Sequence, residues 1–265
     1  MNNAGKATRA KIFLVPSEQG SLDKNRGCAK APEAILETLK AKGVLPEIET
    51  VAVVQSDIEA TDEAIFESAK KAFSGKCFPL FLGGDHSITY SLFRAFSETY
   101  GAESALVIFD AHADCSQFFK PVSHEDMNKV LVEEGLLKPE NLLIIGLRKV
   151  FGVEEEFLEK NKIKSVSPAL ANRETEKAKA LLKEFLSGRK TVYVSVDIDA
   201  FDPSIAPATG YPEKNGLLEK PFFSLLGFLI ESGKVKGADL VEANPEMAGG
   251  TKTVLFAAKI ASKFT

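Results

Sequence analysis

Short runs of Val, Ile, Leu and Phe recur along the chain, and stretches with helix-like spacing of apolar residues separate them. The runs predict strands at Ile12–Val15, Val51–Val54, Phe78–Leu82, Leu106–Phe109, Leu142–Ile145, Ile163–Val166, Val192–Val196 and Asp239–Glu242. Helices are predicted at Ala31–Lys42, Glu59–Phe73, Ile88–Thr99, Glu125–Glu134, Val153–Asn161, Glu174–Leu186, Lys220–Ser232 and Thr251–Lys263. Pro32 suits a first helical turn, and Gly43, Gly101, Gly135 and Gly188 suit helix ends. The strand runs are nearly continuous in apolar character rather than alternating. That is the pattern of strands covered on both faces, as in parallel sheets. Strand–helix alternation therefore predicts an α/β fold around one parallel sheet of about eight strands. No repeat or low-complexity linker divides residues 1–265, so a single domain is expected. The longest loop, Ala200–Leu217, holds Pro203, Pro207, Gly210, Pro212 and Gly216, and a loop of that length is usually functional or mobile.

Composition narrows the class. Hydrophobic residues make up 45% and charged residues 26%, which is ordinary for a globular protein. A net charge of -4 argues against a nucleic-acid partner and against a polybasic membrane anchor. The polar stretch Met1–Lys11 lacks a signal-peptide core, and no apolar run approaches a bilayer's thickness. Three widely spaced cysteines, Cys28, Cys77 and Cys115, fit neither a disulfide framework nor a zinc finger. A reduced, cytoplasmic setting is expected.

All three histidines sit in or just after aspartate-bearing motifs. Gly83-Gly84-Asp85-His86-Ser87 follows one apolar run, Asp110-Ala111-His112-Ala113-Asp114 another, and Asp197-Ile198-Asp199 a third; His124 lies ten residues after Asp114. Sites in open α/β sheets form at the carboxyl ends of strands, so these motifs and Glu242 should converge on one rim. In extended backbone, residues two apart face the same side; Asp110, His112 and Asp114 can then share a focus, and Asp197 and Asp199 likewise. Two imidazoles and four carboxylates match the charge of two divalent cations, and hard oxygen-rich donors favour manganese over zinc. Two such ions can share a water and lower its pKa towards neutrality. Asp85 and Asp202 read as supporting carboxylates. Gly83-Gly84 reads as a site of close backbone approach, and Cys115 as packing. His124 could equally be an ordinary loop residue, and Glu242 a buried partner of an Arg or Lys.

The order GGDHS, DAHAD, SVDIDAFDP and a late Glu in EANP resembles the ureohydrolase superfamily of arginase, agmatinase and formiminoglutamase. The likeness runs from Pro32-Glu33-Ala34-Ile35 to the final helix. It implies a three-layer α/β sandwich around an eight-stranded parallel sheet, and two Mn²⁺ per chain on His86, Asp110, His112, Asp114, Asp197 and Asp199. It further implies that Glu242 holds a substrate guanidinium and that His124 relays a proton to the departing amine. Family members are commonly trimers or hexamers, so a homo-oligomer is implied.

The substrate is less marked. Arginases resembling this chain place an Asn where Ser116 stands and an Asp where Phe151 stands, to hold the α-carboxylate and α-amino groups. Glu154 lies where a second acidic contact would be. Glu125 replaces the usual Gly after the histidine, and Glu125 or Asp126 could meet a cationic tail. The loss of the two arginase contacts, with an Asp114–His124 spacing that resembles agmatinases, favours an agmatinase-like reaction, agmatine and water giving putrescine and urea. Arginase, formiminoglutamase and other guanidino-acid activities stay open, as does a metal-binding relative without catalysis.

Overall fold

Strands and helices alternate through the computed structural model, which describes residues 10–117 and 120–265; the polar start of the chain, up to residue 9, lies outside them. In chain order the elements are β1 (Ala10–Val15), α1 (Ala31–Ala41), β2 (Glu47–Thr50), α2 (Ile58–Phe73), β3 (Phe78–Gly83) and α3 (Ile88–Tyr100). They continue with β4 (Ala105–Phe109), α4 (Met127–Glu133), β5 (Leu142–Ile145), α5 (Gly152–Asn161), β6 (Lys164–Val166) and α6 (Pro168–Arg173). The last are α7 (Thr175–Leu186), β7 (Val192–Asp197), α8 (Glu219–Glu231), β8 (Val235–Val241) and α9 (Gly250–Ala261).

Eight strands form one sheet in the order β2-β1-β3-β8-β7-β4-β5-β6, and every pairing is parallel. Side chains alternate between its faces. Val107 and Phe109 enter a core built with α1, α7, α8 and α9; Leu106 and Ile108 enter the opposite core with α2, α3 and α4. The apolar runs are continuous because both faces of the inner strands are covered. The three-layer α/β sandwich is as expected.

Two expectations fail locally. Val51–Val54 is not a strand; β2 is the polar run just before it, and its four residues are all exposed. Being an edge strand, it needs only one hydrogen-bonded neighbour, and Lys11 of β1 bridges Glu47 and Glu49 at 3.0 and 2.9 Å. Charged side chains on an exposed edge discourage further strand pairing. Helix α6 was not foreseen; it is one short turn set by Pro168 at its start and by Ser167, whose hydroxyl accepts the Leu170 N–H at 3.3 Å. No helix among the described residues is long and apolar enough to cross a membrane.

The strands that precede the motifs, β3, β8, β7 and β4, are the four adjacent central ones. Their registers align Leu82 with Leu240, Leu240 with Val196, and Val196 with Phe109. The next residues of all four strands therefore emerge level with one another at the carboxyl edge.

Candidate metal centre and its cavity

Six of the predicted residues meet at that edge. His86 Nδ1 lies 3.2 Å from Asp110 Oδ2, 2.9 Å from Asp114 Oδ2 and 3.3 Å from Asp197 Oδ2. His112 Nδ1 lies 2.9 Å from Asp199 Oδ2 and 3.6 Å from Asp110 Oδ1. Two groups of donor atoms result, one with His86, Asp110 and Asp114, the other with Asp110, His112 and Asp199; Asp110 belongs to both.

The convergence does not come from extended backbone, as the spacing alone implied. Asp114 has a left-handed φ of 48°, and Asp199 lies in a single 3-10 turn, Ile198–Ala200, after Asp197. Backbone amides aim the carboxylates instead. Asp110 Oδ1 accepts the His112 N–H at 2.6 Å, Asp197 Oδ1 the Asp199 N–H at 2.7 Å, and Asp199 Oδ1 the Ala111 N–H at 3.1 Å. In each carboxylate the other oxygen is left for the cluster.

The imidazole of His86 is fixed from behind. Its Nε2 is 2.9 Å from Ser195 Oγ, which donates to Asp239 Oδ1 at 2.6 Å; Thr89 Oγ1 donates to Asp239 Oδ2 at 3.0 Å. Since Ser195 uses its proton on Asp239, it accepts from Nε2–H. The lone pair then sits on Nδ1 and points into the cluster, the usual arrangement behind a metal-binding histidine.

The donor set fits a pair of divalent ions. His86 Nδ1, Asp110 Oδ2 and Asp114 Oδ2 are buried and have no hydrogen-bond partner among the described residues, a costly condition that a shared cation would relieve. Burial, and then the charge of Asp110, pushes the Asp114 carboxyl up to about 8. Burial, Asp199 and Asp110 push Asp197 well above its ordinary range. Burial and like charge thus work against the ionised forms of Asp114 and Asp197, and a cation between them would favour those forms.

Glu242 adjoins the cluster. It leaves β8 with a left-handed φ of 65°, a conformation that costs a non-glycine residue about 1–3 kcal/mol. Its Oε1 accepts the His86 N–H at 2.8 Å and lies 3.1 Å from His124 Nδ1, while its Oε2 accepts Asn25 Nδ2 at 2.6 Å. Among the described residues neither an Arg nor a Lys partners it. His124 is buried, not a surface loop residue, and its Nε2 has no hydrogen-bond partner among the described residues. Against the opposing effect of burial, Glu242 raises its pKa to about 9. Gly84 permits this assembly. A Cβ there would lie 1.8 Å from Ser17 O, and the Gly84 carbonyl accepts the Glu242 N–H at 2.7 Å. Asp85 braces the same corner, accepting from Gly20 N at 3.1 Å and Ser87 N at 2.9 Å.

Both donor groups, His124 and Glu242 open into a cavity of about 590 Å³, whose wall also includes Ser116, Gln117, Glu125, Lys149, Phe151, Val153, Glu154, Tyr211 and Glu213. Several expectations change here. Asp126 is buried and does not line the cavity; it accepts Ser123 N and Oγ, both at 2.7 Å. Glu154 reaches the wall, but its oxygens accept Cys115 N at 3.1 Å and Phe151 N at 2.9 Å, tying the start of α5 to the DAHAD segment. Arg148 is not in the wall. Its guanidinium donates to the carbonyls of Gly146, Asp199, Ala200, Phe201, Glu213 and Lys214. Cys115 is buried in the core facing α2, α3 and α4, as expected of a packing residue. Asp202 accepts from Ser204 N and Asn215 N and orders its own loop.

Tyr211, Lys149 and Asn25 were not foreseen. Tyr211 sits in the long loop, donates to Glu125 Oε1 at 3.0 Å, and sets its ring 5.8 Å from those of His112 and His124. Only the length of that loop signalled it. Lys149 is the one lysine or arginine in the wall among the described residues, with Nζ 5.4 Å from the Phe151 ring centroid.

Comparison with known proteins places this geometry. The sequence profile of the Arginase family matches residues 8–265. An agmatinase of Bacillus cereus is 33% identical over 201 residues, which is 74% of this chain and 66% of that protein. A mitochondrial arginase of Medicago truncatula is 34% identical over 170 residues, 63% of this chain and 48% of that one. The aligned segment thus spans about half to two thirds of these relatives. Among solved structures, arginase from Bacillus subtilis superposes with a TM-score of 0.85 at 24% identity, covering 97% of this chain and 98% of that one. The agmatine ureohydrolase of Thermoplasma volcanium gives 0.81 at 26% identity, covering 97% and 89%. The chain belongs to the arginase family.

Proposed function

We propose that this chain hydrolyses a guanidino C–N bond to release urea and an amine, and that agmatine is the kind of substrate it favours. One observation carries the reading: the two aspartate–imidazole groups joined through Asp110, and the Glu242–His124 pair, open into one cavity.

His86, Asp110, His112, Asp114, Asp197 and Asp199 would hold two divalent ions, manganese by the hardness of the donors. Bound there, they would supply Lewis acidity and water activation at neutral pH. Glu242 orients the guanidinium, since a carboxylate fixes that plane through paired N–H···O bonds. A carboxylate has roughly four acceptor positions, and protein donors fill three of them here. The guanidinium takes the fourth and displaces His124 from Oε1. His124 carries a proton at neutral pH because its pKa lies near 9. Freed from Glu242, it gives that proton to the nitrogen as the C–N bond breaks, and the amine leaves neutral.

The far end of the substrate meets Ser116 and Phe151, neither of which pairs with an α-carboxylate or α-amino group. Glu125, oriented by Tyr211, and Glu213 offer negative charge to an ammonium tail. Lys149 supports a second reading, a guanidino or formimino acid whose carboxylate it would pair. A homo-oligomer, trimer or hexamer, in the cytoplasm belongs to the same proposal.

The test is product release from a panel of agmatine, arginine, other guanidino acids and formiminoglutamate after Mn²⁺ loading. Urea from agmatine above all others supports the first reading, and preference for a carboxylate-ended compound supports the second. No urea and no formamide from any of them, with two ions bound per chain, assigns a binding role without catalysis.

A further inference from the structure

We propose that Asn25 and Asn244 form an amide clamp that positions Glu242 for the guanidinium; this rests on the reading of Glu242 given above. Asn25 precedes α1, 217 residues from Glu242, and is fully buried. Its Nδ2 donates to the Glu242 carbonyl at 2.8 Å and to Glu242 Oε2 at 2.6 Å. One NH₂ group thus spans the main chain and the side chain of the same residue, which ties the carboxylate's direction to the left-handed backbone.

Asn244 sets the orientation of the Asn25 amide. Its Nδ2 donates to Asn25 Oδ1 at 2.8 Å and to the Arg26 carbonyl at 2.7 Å, and its Oδ1 accepts the Glu246 N–H at 3.0 Å. Both amides face partners that only accept on one side, so neither can be flipped without losing bonds. The Asn244 N–H donates to Ala208 O at 3.0 Å, which links the clamp to the loop carrying Tyr211. Neither asparagine lines the cavity, so each acts through Glu242 and not on substrate. The choice of an amide has a physical reason. A lysine or arginine would hold the carboxylate equally well but would neutralise the charge that attracts the guanidinium. An amide fixes geometry and leaves the charge in place.

The experiment compares Asn25→Ala, Asn25→Asp, Asn244→Ala, Glu242→Gln and the double variant Asn25→Ala/Glu242→Gln, all loaded with Mn²⁺ and assayed on whichever guanidino compound the wild type hydrolyses. The expected result is a KM for Asn25→Ala raised about tenfold or more, with the Mn²⁺ content of the wild type. Asn25→Asp should be at least as impaired, because an acceptor then faces Glu242 Oε2. Asn244→Ala should change in the same direction by less. In the Glu242→Gln background the Asn25 change should add less than about twofold, since the group it positions is already altered. A full additional loss there overturns the clamp. If Glu242→Gln itself keeps wild-type kcat/KM, the reading of Glu242 falls instead. A crystal structure gives a readout free of activity. In Asn25→Ala, or in Asn244→Ala should the first not fold, the Glu242 carboxylate should leave its present place. An unmoved carboxylate overturns the proposal.

Discussion

Replacing Arg148 by Met should loosen the loops that follow β5 and β7 without removing any side chain of the cavity wall. The guanidinium has five N–H donors and faces six main-chain carbonyls. Four contacts are 3.1 Å or shorter, to Lys214 O from Nε, to Gly146 O from Nη1, and to Asp199 O and Glu213 O from Nη2. Methionine keeps most of the stem's packing and loses every donor. Since the site is half-buried, water re-solvates part of the freed carbonyls, so a net value of ~0.5–1 kcal/mol per strong bond is appropriate. The sum is about 2–4 kcal/mol, a fall in Tm of roughly 4–8 °C for a chain of this size. Asp199 O is among the lost acceptors, so the His112–Asp199 donor group should suffer first, and Mn²⁺ should dissociate from the variant at lower chelator concentration. The assay is denaturant unfolding in EDTA, followed by Mn²⁺ titration. A loss below about 1 kcal/mol with wild-type Mn²⁺ affinity would refute the idea that Arg148 braces these loops.

Asp114→Asn and Asp199→Asn should each remove most activity with the fold retained, and Mn²⁺ should raise the wild-type Tm more than theirs; equal Mn²⁺ stabilisation in all three would discount both as ligands. His124→Ala should lower kcat by ~10²–10⁴-fold with little change in metal content, and an unchanged rate would assign the proton to another donor. The His124 pKa is raised in the folded chain to about 9. The stability gained from its pairing with Glu242 should therefore be complete below the ordinary histidine pKa of about 6.5 and vanish as pH rises through about 9. Wild-type stability that falls no more steeply than that of His124→Ala between pH 7 and 10 would contradict this. Agmatine should exceed L-arginine in kcat/KM by at least about tenfold, roughly the effect of one unpaired charge. A better result with arginine that disappears in Lys149→Ala would transfer the preference to carboxylate-ended substrates.

Much of the candidate site was legible because its residues are written in local motifs. GGDHS, DAHAD and DID each follow an apolar run, and the parallel sheet carries strand ends to one edge. The order of the strands, which sets β3, β8, β7 and β4 side by side, was not legible from local pattern. The geometry within each motif was also misread. Extended alternation would have aimed Asp110, His112 and Asp114 together, whereas backbone amides and a left-handed Asp114 do so. Asn25 and Tyr211 escaped notice because their partners lie 217 and 86 residues away and no spacing rule connects them. Val51–Val54 was mistaken for a strand because apolar character outranked edge position, where charge is an advantage.

The long-range character of the central strands bears on folding. β3 pairs Leu80 with Ala238 of β8, so closing the middle of the sheet brings together segments far apart in the chain. Such topology places a large loop-closure cost before the reward of contact, and folding should be slow for the chain's size. The candidate metal donors should for the same reason assemble late in folding. Their carboxylates stay apart, and solvated, until β3, β4, β7 and β8 are neighbours. Mn²⁺ should therefore slow unfolding more than it speeds folding, and amide hydrogens of β7 and β8 should be among the last to exchange.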